Sequence, residues 1–329
     1  MKVWYDACTG KHMRYGVAIA KCLRKAGHEV ILTTREHRDT LALANLLGEK
    51  PLVVGKYAPS SLFSRLEESA KRVLHFSDVF KNELPDVAIS HQSVELCRAA
   101  FGLGIPIVLT ADTPHAVAVN RLTIPLSNLL VASEAIPKKF FNKLGAQRIV
   151  QFKGVDEVAW VKNFVNPSEE SLPEKPLIIV RQKETKASYA LGEEDETAKL
   201  AINLSSFGNV LFISRYDRIK NDKVIVKKEF IDTLSAVAHA DLVVSVGGTI
   251  SREAALQGIP SIVISEIGNT YVNRYLFRKG FPLFIVKSSE VLNYAKKYLG
   301  KKFDVKAKLA LLENPVKVIE SIITERQYI

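Results

Sequence analysis

The strongest constraint on the fold is the regular alternation of short β-rich runs with segments of helical periodicity along most of the chain. In the first half the runs are KVWYD, HEVILTT, PLVVG, DVAIS, IPIVLT, NLLVAS and RIVQF, and in the second half they are LIIV, NVLFIS, DLVVSVGG, PSIVIS and FPLFIV. Strands that alternate with helices form βαβ units, which build parallel sheets covered by helices. The sequence therefore predicts an α/β protein.

The alternation is interrupted at residues 163–176, a segment rich in Pro, Ser and acidic side chains that lacks apolar periodicity. This segment is the best candidate for a linker. A chain of 329 residues is long enough for two domains of ordinary size. We predict a first domain of residues 1–165 and a second of residues 166–329, both doubly wound, Rossmann-like and parallel-sheeted, that face each other across a cleft.

The termini and the cysteines exclude several classes of protein. The N-terminus has no basic segment followed by an apolar one, and no apolar stretch is long enough to span a bilayer, so neither secretion nor membrane spanning is expected. Cys8, Cys22 and Cys97 are far apart and lie in no C-x-x-C spacing, which argues against a disulfide framework and a structural zinc site. The sequence predicts a cytoplasmic protein.

The formal net charge of +11 favours polyanions, acidic membrane surfaces or phosphorylated ligands as partners. No helix-turn-helix, zinc or aromatic–basic RNA signature is present, so nucleic acid is not the expected partner. The densest basic run, in a segment of helical periodicity, contains Lys296, Lys297, Lys301, Lys302, Lys306 and Lys308. This run is interpreted either as a solvated helix face or as a peripheral contact with an anionic membrane.

The loop after the first strand contains Thr-Gly-Lys-His. It is not a Walker A loop, because Gly10 and Lys11 are followed by His12 and the position five residues before Gly10 is Tyr5. The dinucleotide fingerprint also fails, because Gly10 is followed by Gly16 without the third glycine. What remains is a helix N-terminus whose amides can meet an anion. The alternative is that Gly10 makes a tight turn and His12 caps the helix.

A second glycine-rich turn lies within residues 240–265. A buried strand ends at Gly247 and Gly248, which admit close approach by a ligand, and Thr249 is expected to cap the following helix. Glu253 follows four residues later and offers two acceptor oxygens to a ligand's hydroxyl groups. The alternative is a turn with no ligand and a solvent-facing glutamate.

Three histidines follow strands of the first domain: His12, His91 and His115. Such strand ends lie along one edge of a parallel sheet. Thr113 as N-cap with Pro114 at the first helical position would hold His115 at a helix N-terminus, where the dipole favours a neutral base. Asp112 would orient that imidazole or act itself, and each histidine is alternatively a loop cap. No H-E-x-x-H or i, i+4 histidine pair exists, so no metal site is expected.

Two arginines follow strands of the second domain, Arg181 and Arg215. A guanidinium group at a strand end can hold a diphosphate. Arg181 is favoured because Ser188 and Tyr189 follow it in a loop that could fold over a nucleotide. The alternative role for either arginine is an ion pair between domains.

Both glycine-containing turns resemble motifs of known families. The first resembles the TGGH loop of the bacterial wall glycosyltransferase that adds N-acetylglucosamine to a lipid-linked acceptor, with Lys11 in place of the second glycine. In that family the loop lies beside the diphosphate and the reacting centre. The second, including Gly258 and Pro260, resembles the donor-nucleotide motif of GT-B glycosyltransferases and of non-hydrolysing UDP-N-acetylglucosamine 2-epimerases. The resemblance implies that Glu253 binds the ribose hydroxyl groups.

Longer stretches, among them PDVAISHQS, DTPHAVAVNRLTIPL and FKGVDEVAW, look like domain-of-unknown-function family 354 of archaea and bacteria, which is similar to the GT-B superfamily. The resemblance covers nearly all of the chain. It implies the fold more firmly than the reaction, because one fold supports many functions.

The function expected from these resemblances is a metal-independent, nucleotide-sugar-dependent glycosyltransferase of GT-B type, with no cofactor besides its UDP-linked substrate. The second domain would bind the nucleotide and the first an acceptor of unknown identity, lipid-linked in the resembling transferase. The expected bases are His12, His115 or Asp112, and the phosphate-binding residues are Gly10, Lys11, Gly248 and Arg181. The alternatives are a UDP-N-acetylglucosamine 2-epimerase, for which the candidate acids are Asp6 and Asp112, and a non-enzymatic basic protein that binds polyanions.

Overall fold

The computed structural model describes residues 1–58, 60–165, 172–183, 196–214, 224–226, 230–264 and 268–329, so part of the candidate linker lies outside the described residues. The strands are β1 (Lys2–Ala7), β2 (Glu29–Glu36), β3 (Leu52–Lys56), β4 (Val87–Ser90), β5 (Ile107–Thr110), β6 (Leu129–Ser133), β7 (Ile149–Phe152), β8 (Leu177–Arg181), β9 (Asn209–Ile213), β10 (Val224–Val226), β11 (Leu242–Ser245), β12 (Ser261–Ile264) and β13 (Leu283–Val286).

The α-helices are α1 (Gly10–Lys25), α2 (Arg38–Leu46), α3 (Leu62–Val79), α4 (Val94–Gly102), α5 (Val117–Thr123), α6 (Lys138–Asn142), α7 (Val158–Val161), α8 (Thr197–Leu204), α9 (Thr233–His239), α10 (Thr249–Leu256), α11 (Tyr271–Arg278), α12 (Val291–Tyr298), α13 (Lys306–Ala310) and α14 (Pro315–Thr324). Two short 3-10 helices span Ile124–Leu126 and Ser288–Glu290.

The chain forms two compact units. The first comprises Met1–Trp160 and Glu313–Ile329, and the second comprises Val161–Leu312. The division expected at residues 165 and 166 differs from this one, because the last residues of the chain return to the first unit. The return begins at Glu313, and the Asn314 side chain caps α14 by accepting a hydrogen bond from the Val316 amide at 3.0 Å. The buried side chains of α14 include Ile319 and Ile323, and the helix packs against α1.

The first unit contains a seven-stranded sheet in the order β3-β2-β1-β4-β5-β6-β7. All neighbouring strands in it are parallel. The direction of winding reverses between β1 and β4, and a crevice opens outside the carboxyl ends of the strands at such a switch point. The loops that follow β1 and β4 therefore lie at the switch point, where ligands of doubly wound sheets usually bind.

The second unit contains a six-stranded parallel sheet in the order β10-β9-β8-β11-β12-β13, with its switch point between β8 and β11. Alternate residues of β8 pack into separate cores, Ile178 and Val180 on one face and Leu177 and Ile179 on the other. Burial of both faces explains why the strands read as continuous apolar runs. The prediction of two doubly wound parallel-sheet units is confirmed.

Every run that the sequence predicts as a strand forms one. Among the described residues, the strand that the sequence did not predict is β10, which lies at the edge of the second sheet. It contains three residues in a lysine-rich stretch, too short to show the apolar pattern of the other strands. Its pairing with β9 fixes its register, which the local sequence pattern cannot do.

Candidate active site

Polar side chains from the first turn of α1 and from three loops meet at the carboxyl edge of the first sheet. We call this set the acid–lysine cluster; it consists of Lys11 after β1, His91 after β4, Asp112 after β5, and Asp156 and Glu157 after β7. The Lys11 Nζ atom lies 2.5 Å from Asp112 Oδ2 and 2.9 Å from Asp156 Oδ2. Glu157 Oε1 lies 3.8 Å from the same nitrogen. The three carboxylates are buried, which strengthens their attraction to the ammonium group.

The imidazole of His91 is held at both ring nitrogens. Its Nδ1 atom lies 2.7 Å from Thr110 Oγ1, and its Nε2 atom lies 3.2 Å from Asp112 Oδ1 and 3.8 Å from Asp156 Oδ2. Thr113 Oγ1 donates a hydrogen bond to Asp112 Oδ1 at 2.8 Å. The ring is therefore fixed in one orientation beside two carboxylates.

The backbone after His91 adopts a conformation that is rare outside glycine. Gln92 has φ = 58°, in the left-handed region, and its Nε2 atom donates to Asn120 Oδ1 at 2.5 Å. The Asn120 Nδ2 atom donates in turn to the carbonyl groups of Thr113 and Pro114, both at 3.1 Å. Asn120 thus ties the loop after β4 to the loop after β5. Strained backbone held in this way is common at functional sites.

The turn between β1 and α1 is capped by Thr9. Its Oγ1 atom accepts a hydrogen bond from the His12 amide at 3.3 Å, and the helix begins at Gly10. The alternative that His12 caps the helix is wrong. A Cβ atom at Gly10 would meet only Leu43 Cδ2, at 3.7 Å, so packing does not require glycine there. Gly10 is the first helical residue and its φ is not positive.

His12 lies on the first turn of α1, next to the acid–lysine cluster. Its ring contacts the His91 ring edge-on, with centroids 5.0 Å apart. Burial, together with the nearby His91 and Lys11, lowers the pKa of His12 well below its ordinary value. The Nδ1 atom of His12 is buried and has no hydrogen-bond partner among the described residues. A neutral imidazole with such a nitrogen can accept a proton.

Tyr5 fixes the position of His12 through the backbone. The Tyr5 hydroxyl donates a hydrogen bond to the His12 carbonyl at 3.0 Å. The Tyr5 ring reaches this position because Gly16 has no side chain, since a Cβ atom there would lie 2.3 Å from Tyr5 Cε1. The second glycine of α1 therefore serves packing rather than a ligand.

Tyr15 is a fully buried residue of α1 that the sequence analysis missed. Its ring lies 5.7 Å from the His91 ring and 5.9 Å from the Trp160 ring, measured between centroids. Burial and then the negative charge of Asp156 raise its pKa well above the ordinary value, so the hydroxyl stays protonated. Its oxygen has no hydrogen-bond partner within the part of the chain that the structure describes.

The structure places His115 differently from the prediction. The helix that follows, α5, begins at Val117, and Ala116 occupies the cap position with no side-chain cap. Thr113 and Pro114 are therefore not the N-cap and first helical residue. The reason is that residues 113–116 close a turn of their own, in which the Ala116 amide donates to the Thr113 carbonyl at 3.1 Å. His115 is exposed in this turn.

Asp156 and Glu157 are cluster members that sequence reasoning overlooked. They lie in the segment between β7 and α7, beyond a strand that the sequence correctly predicts. The signal that could have found them is a pair of acidic residues shortly after the end of a predicted strand. However, β7 is an edge strand four positions from β1, and the strand order alone does not bring this pair to Lys11.

The second unit carries the other predicted turn. Gly247 has φ = 106° and Gly248 has φ = 98°, values that favour glycine. The helix α10 begins at Thr249, so Gly248 occupies the cap position and the expected cap by Thr249 is wrong. The first turn of α10 has no side-chain cap, and amides in this arrangement can bind an anion.

Glu253 lies one turn into α10 and is almost fully buried, at 1% exposure. Thr233 Oγ1, from α9, donates a hydrogen bond to its Oε2 atom at 3.4 Å. The alternative of a solvent-facing glutamate is therefore wrong. Arg252 is also buried, and its Nη1 atom donates to Asn273 Oδ1 at 3.4 Å. Binding of ribose by Glu253 stays a prediction.

Arg181 is the last residue of β8, beside the switch point of the second sheet. Its side chain is partly exposed, and its Nη1 atom contacts the Ile213 carbonyl at 3.5 Å. Binding of a diphosphate by Arg181 stays a prediction. Arg215, Ser188 and Tyr189 lie outside the described residues.

The lysine-rich run does not form one helix face. It is divided among α12, the connection of residues 299–305, which contains Lys301 and Lys302, and α13. Tyr298 stacks on Phe284 with ring centroids 4.1 Å apart, and the ammonium groups of Lys297 and Lys301 lie 5.2 and 5.3 Å from the Tyr298 ring. No helix in the described ranges is both long and apolar enough to cross a membrane. Peripheral membrane contact stays a prediction.

Solved structures with the same fold include an epimerase that was solved with a nucleotide sugar and a glycosyltransferase. The UDP-GlcNAc 2-epimerase of Methanocaldococcus jannaschii, solved with UDP-GlcNAc and UDP, is 16% identical with a TM-score of 0.73, and the match covers 100% of both chains. The glycosyltransferase SnogD from Streptomyces nogalater is 14% identical with a TM-score of 0.59, and the match covers 99% of both chains. These similarities identify the fold as that of GT-B glycosyltransferases and UDP-GlcNAc 2-epimerases.

The sequence itself matches proteins whose function is not established. An uncharacterized protein of Methanocaldococcus jannaschii is 30% identical over 321 residues, which cover 93% of this chain and 94% of that protein. A family model described as "Protein of unknown function (DUF354)" matches residues 1–327. The chain therefore belongs to the DUF354 family of proteins of unknown function.

Proposed function

We propose that this protein is a metal-independent glycosyltransferase that uses a uridine-linked nucleotide sugar as donor. The observation that carries the proposal is the half-buried His12, whose pKa is lowered, beside the acid–lysine cluster at the switch point of the first sheet. The fold supports it, because the similar structures include a glycosyltransferase and an epimerase solved with UDP and UDP-GlcNAc.

In this proposal, His12 is the general base. The acceptor oxygen forms a bond to C1 of the sugar, the bond between C1 and the diphosphate oxygen breaks, and the acceptor proton passes to the imidazole. His12 is preferred over Asp112, which already binds Lys11 and His91, and over His115, which is exposed in a turn.

The departing diphosphate requires positive or amide groups. The backbone amide of Gly10 and the amides after Gly248 are suited to this role because each lies at a helix N-terminus. Arg181 would add a guanidinium group at the end of β8. Glu253 would accept hydrogen bonds from the ribose hydroxyl groups.

A UDP-N-acetylglucosamine 2-epimerase is the second candidate, and one observation favours it. Epimerisation needs a base for the C2 proton and several carboxylates around the sugar, and the structure adds Asp156 and Glu157 to Asp112 at one position. Transfer is preferred because Lys11 already binds Asp112 and Asp156, which leaves the neutral His12 as the favoured base. The alternative of a non-enzymatic polyanion-binding protein predicts steeply salt-dependent binding and no turnover.

The proposal is tested first by thermal unfolding with UDP, UDP-N-acetylglucosamine, ADP and GDP. A ligand at 100 times its Kd stabilises the folded state by about 2.7 kcal/mol, so uridine nucleotides are expected to raise the Tm. If no nucleotide raises the Tm, the donor-site proposal is wrong.

Transfer and epimerisation are then separated in deuterated water with UDP-N-acetylglucosamine. Deuterium at C2 in the absence of acceptor would identify an epimerase. UDP release that depends on an added acceptor and persists in a chelator, without deuterium at C2, would support metal-independent transfer.

A further inference from the structure

We infer that the Lys11 ammonium group occupies the cation position of a centre whose ligands would otherwise bind a divalent metal ion. His91, Asp112 and Asp156 each present one ligand atom, and these atoms all lie within 4.8 Å of one another. For an ion about 2.1 Å from each ligand, two opposite ligands are about 4.2 Å apart. The distances among the three ligand atoms are therefore close to those in a metal centre. The three residues belong to different loops, which only the fold brings together.

The surroundings of the three ligands are also those of a metal centre. One imidazole with two carboxylates suits ions such as Mn²⁺ and Zn²⁺. In metal sites the other ring nitrogen of a histidine ligand is bound by a further polar group, as Thr110 binds His91 Nδ1 at 2.7 Å. Ligating carboxylates are likewise hydrogen-bonded, as Thr113 binds Asp112 at 2.8 Å.

Lys11 takes the place of the ion. Its Nζ atom bridges Asp112 Oδ2 at 2.5 Å and Asp156 Oδ2 at 2.9 Å, as an ion between the two loops would. The side chain is largely shielded from solvent, at 13% exposure. An ion at the same position would have to displace this ammonium group.

The position of Lys11 on its helix supports the same conclusion. Lys11 lies in the first turn of α1, where the helix dipole disfavours a positive charge, and that turn has no acidic residue. The unfavourable placement is offset by the two buried carboxylates that bind the ammonium group. Lys11 is thus a positioning residue for Asp112 and Asp156, which differs from the phosphate-binding role expected from the sequence. This inference does not depend on the proposed function.

The test is metal binding by the full chain. Wild-type protein, Lys11→Ala and Lys11→Arg are titrated with Mn²⁺. The amount of bound ion is measured from the loss of the electron paramagnetic resonance signal of free Mn²⁺. We expect Lys11→Ala to bind one Mn²⁺, and wild-type protein and Lys11→Arg, which keep a cation, to bind none at this centre. Co²⁺ added to Lys11→Ala should give a visible absorption band from an ion bound by the imidazole.

Two further variants assign the ion to this centre. Asp156→Asn added to Lys11→Ala should abolish Mn²⁺ binding, and Thr110→Val added to Lys11→Ala should weaken it about tenfold or more through loss of the support to His91. Circular dichroism confirms that each variant is folded, and Lys11→Met replaces Lys11→Ala if the latter is not. The inference is overturned if wild-type protein binds Mn²⁺ as tightly as Lys11→Ala, or if folded Lys11→Ala, or folded Lys11→Met in its place, binds none.

Discussion

Arg72 of α3 forms a bidentate ion pair with the carboxylate of Asp6, near the end of β1, through both terminal nitrogens of its guanidinium group. Nη2 lies 2.5 Å from Oδ1 and Nη1 lies 3.0 Å from Oδ2. The same carboxylate accepts hydrogen bonds from Thr33 at 2.7 Å and Ser93 at 2.6 Å. Asp6 and Arg72 are almost completely buried. Asp6, a candidate acid for epimerisation from its position at a strand end, is therefore a structural residue that anchors α3 to the sheet.

Breaking this ion pair should destabilise the first unit. Arg72→Met leaves the buried Asp6 carboxylate without its cation, and we expect a loss of about 3 to 5 kcal/mol in the free energy of unfolding. Denaturant titration measures this loss. Lys71→Met, at the exposed neighbouring position, is the control and should have a much smaller effect. A loss in Arg72→Met no larger than in Lys71→Met would contradict the structural role.

Replacing the two glycines of α1 separates packing from ligand binding. Gly10→Ala should leave the free energy of unfolding unchanged or raise it by up to about 1 kcal/mol. Alanine favours a helix more than glycine does, and the structure has room for a methyl group at this position. If the Gly10 amide binds the diphosphate, the added methyl group should reduce turnover. Gly16→Ala should destabilise the protein because its Cβ atom would clash with Tyr5. Unchanged turnover in Gly10→Ala would argue against a ligand at this loop.

Removing the proposed base should lower turnover but leave binding of the donor nucleotide nearly unchanged. His12→Gln is expected to reduce turnover by about 10² or more while nucleotide binding changes by no more than a few-fold. His115→Gln, in the exposed turn before α5, is the matched control and should keep most of the activity. Turnover is measured by UDP release and binding by calorimetry. The assignment fails if the control loses more turnover than His12→Gln.

The lowered pKa of His12 should make stability depend on pH. The neighbours that lower it, after burial, are His91, Lys11 and Arg35, and Asp112 opposes them. Below about pH 6.5 the unfolded chain binds a proton at His12 that the folded protein does not, so stability falls as the pH falls. The contribution of one such group is at most about 1.4 kcal/mol per pH unit.

Denaturant titrations at a series of pH values from 7 downwards test this dependence. The unfolding free energy of the wild-type protein should fall more steeply than that of His12→Gln. Equal slopes would show that His12 titrates normally in the folded state.

Loss of the Glu253 carboxylate charge should weaken nucleotide binding. Glu253→Gln keeps an oxygen for the Thr233 hydroxyl but loses the charge, and we expect the binding of UDP to weaken by roughly 1 to 3 kcal/mol. Glu290→Gln, at an exposed position in the same unit, is the control. Calorimetric titration of UDP measures both variants. Equal affinity of Glu253→Gln and wild-type protein would remove Glu253 from the donor site.

The sequence was most informative where the signal is local. Strands buried on both faces must be apolar, so the alternation predicted both parallel sheets and nearly every strand. Backbone geometry is also local, and the glycines at 247 and 248 correctly marked a turn with positive φ. The helix caps were less predictable. Thr113, expected to cap the helix that follows it, donates its hydroxyl hydrogen bond to Asp112 instead, and Thr249, expected as a cap, is the first residue of α10.

By itself, the sequence determined the two doubly wound sheets and placed His12 and Asp112 at strand ends of the first. Only the tertiary structure decided which charges meet. Asp156 comes 145 residues after Lys11 in the chain, and it reaches the ammonium group because the segment after β7 folds back toward α1. No periodicity encodes such a contact. It depends on the packing of whole elements, and a buried charge is stable only where that packing supplies its partner.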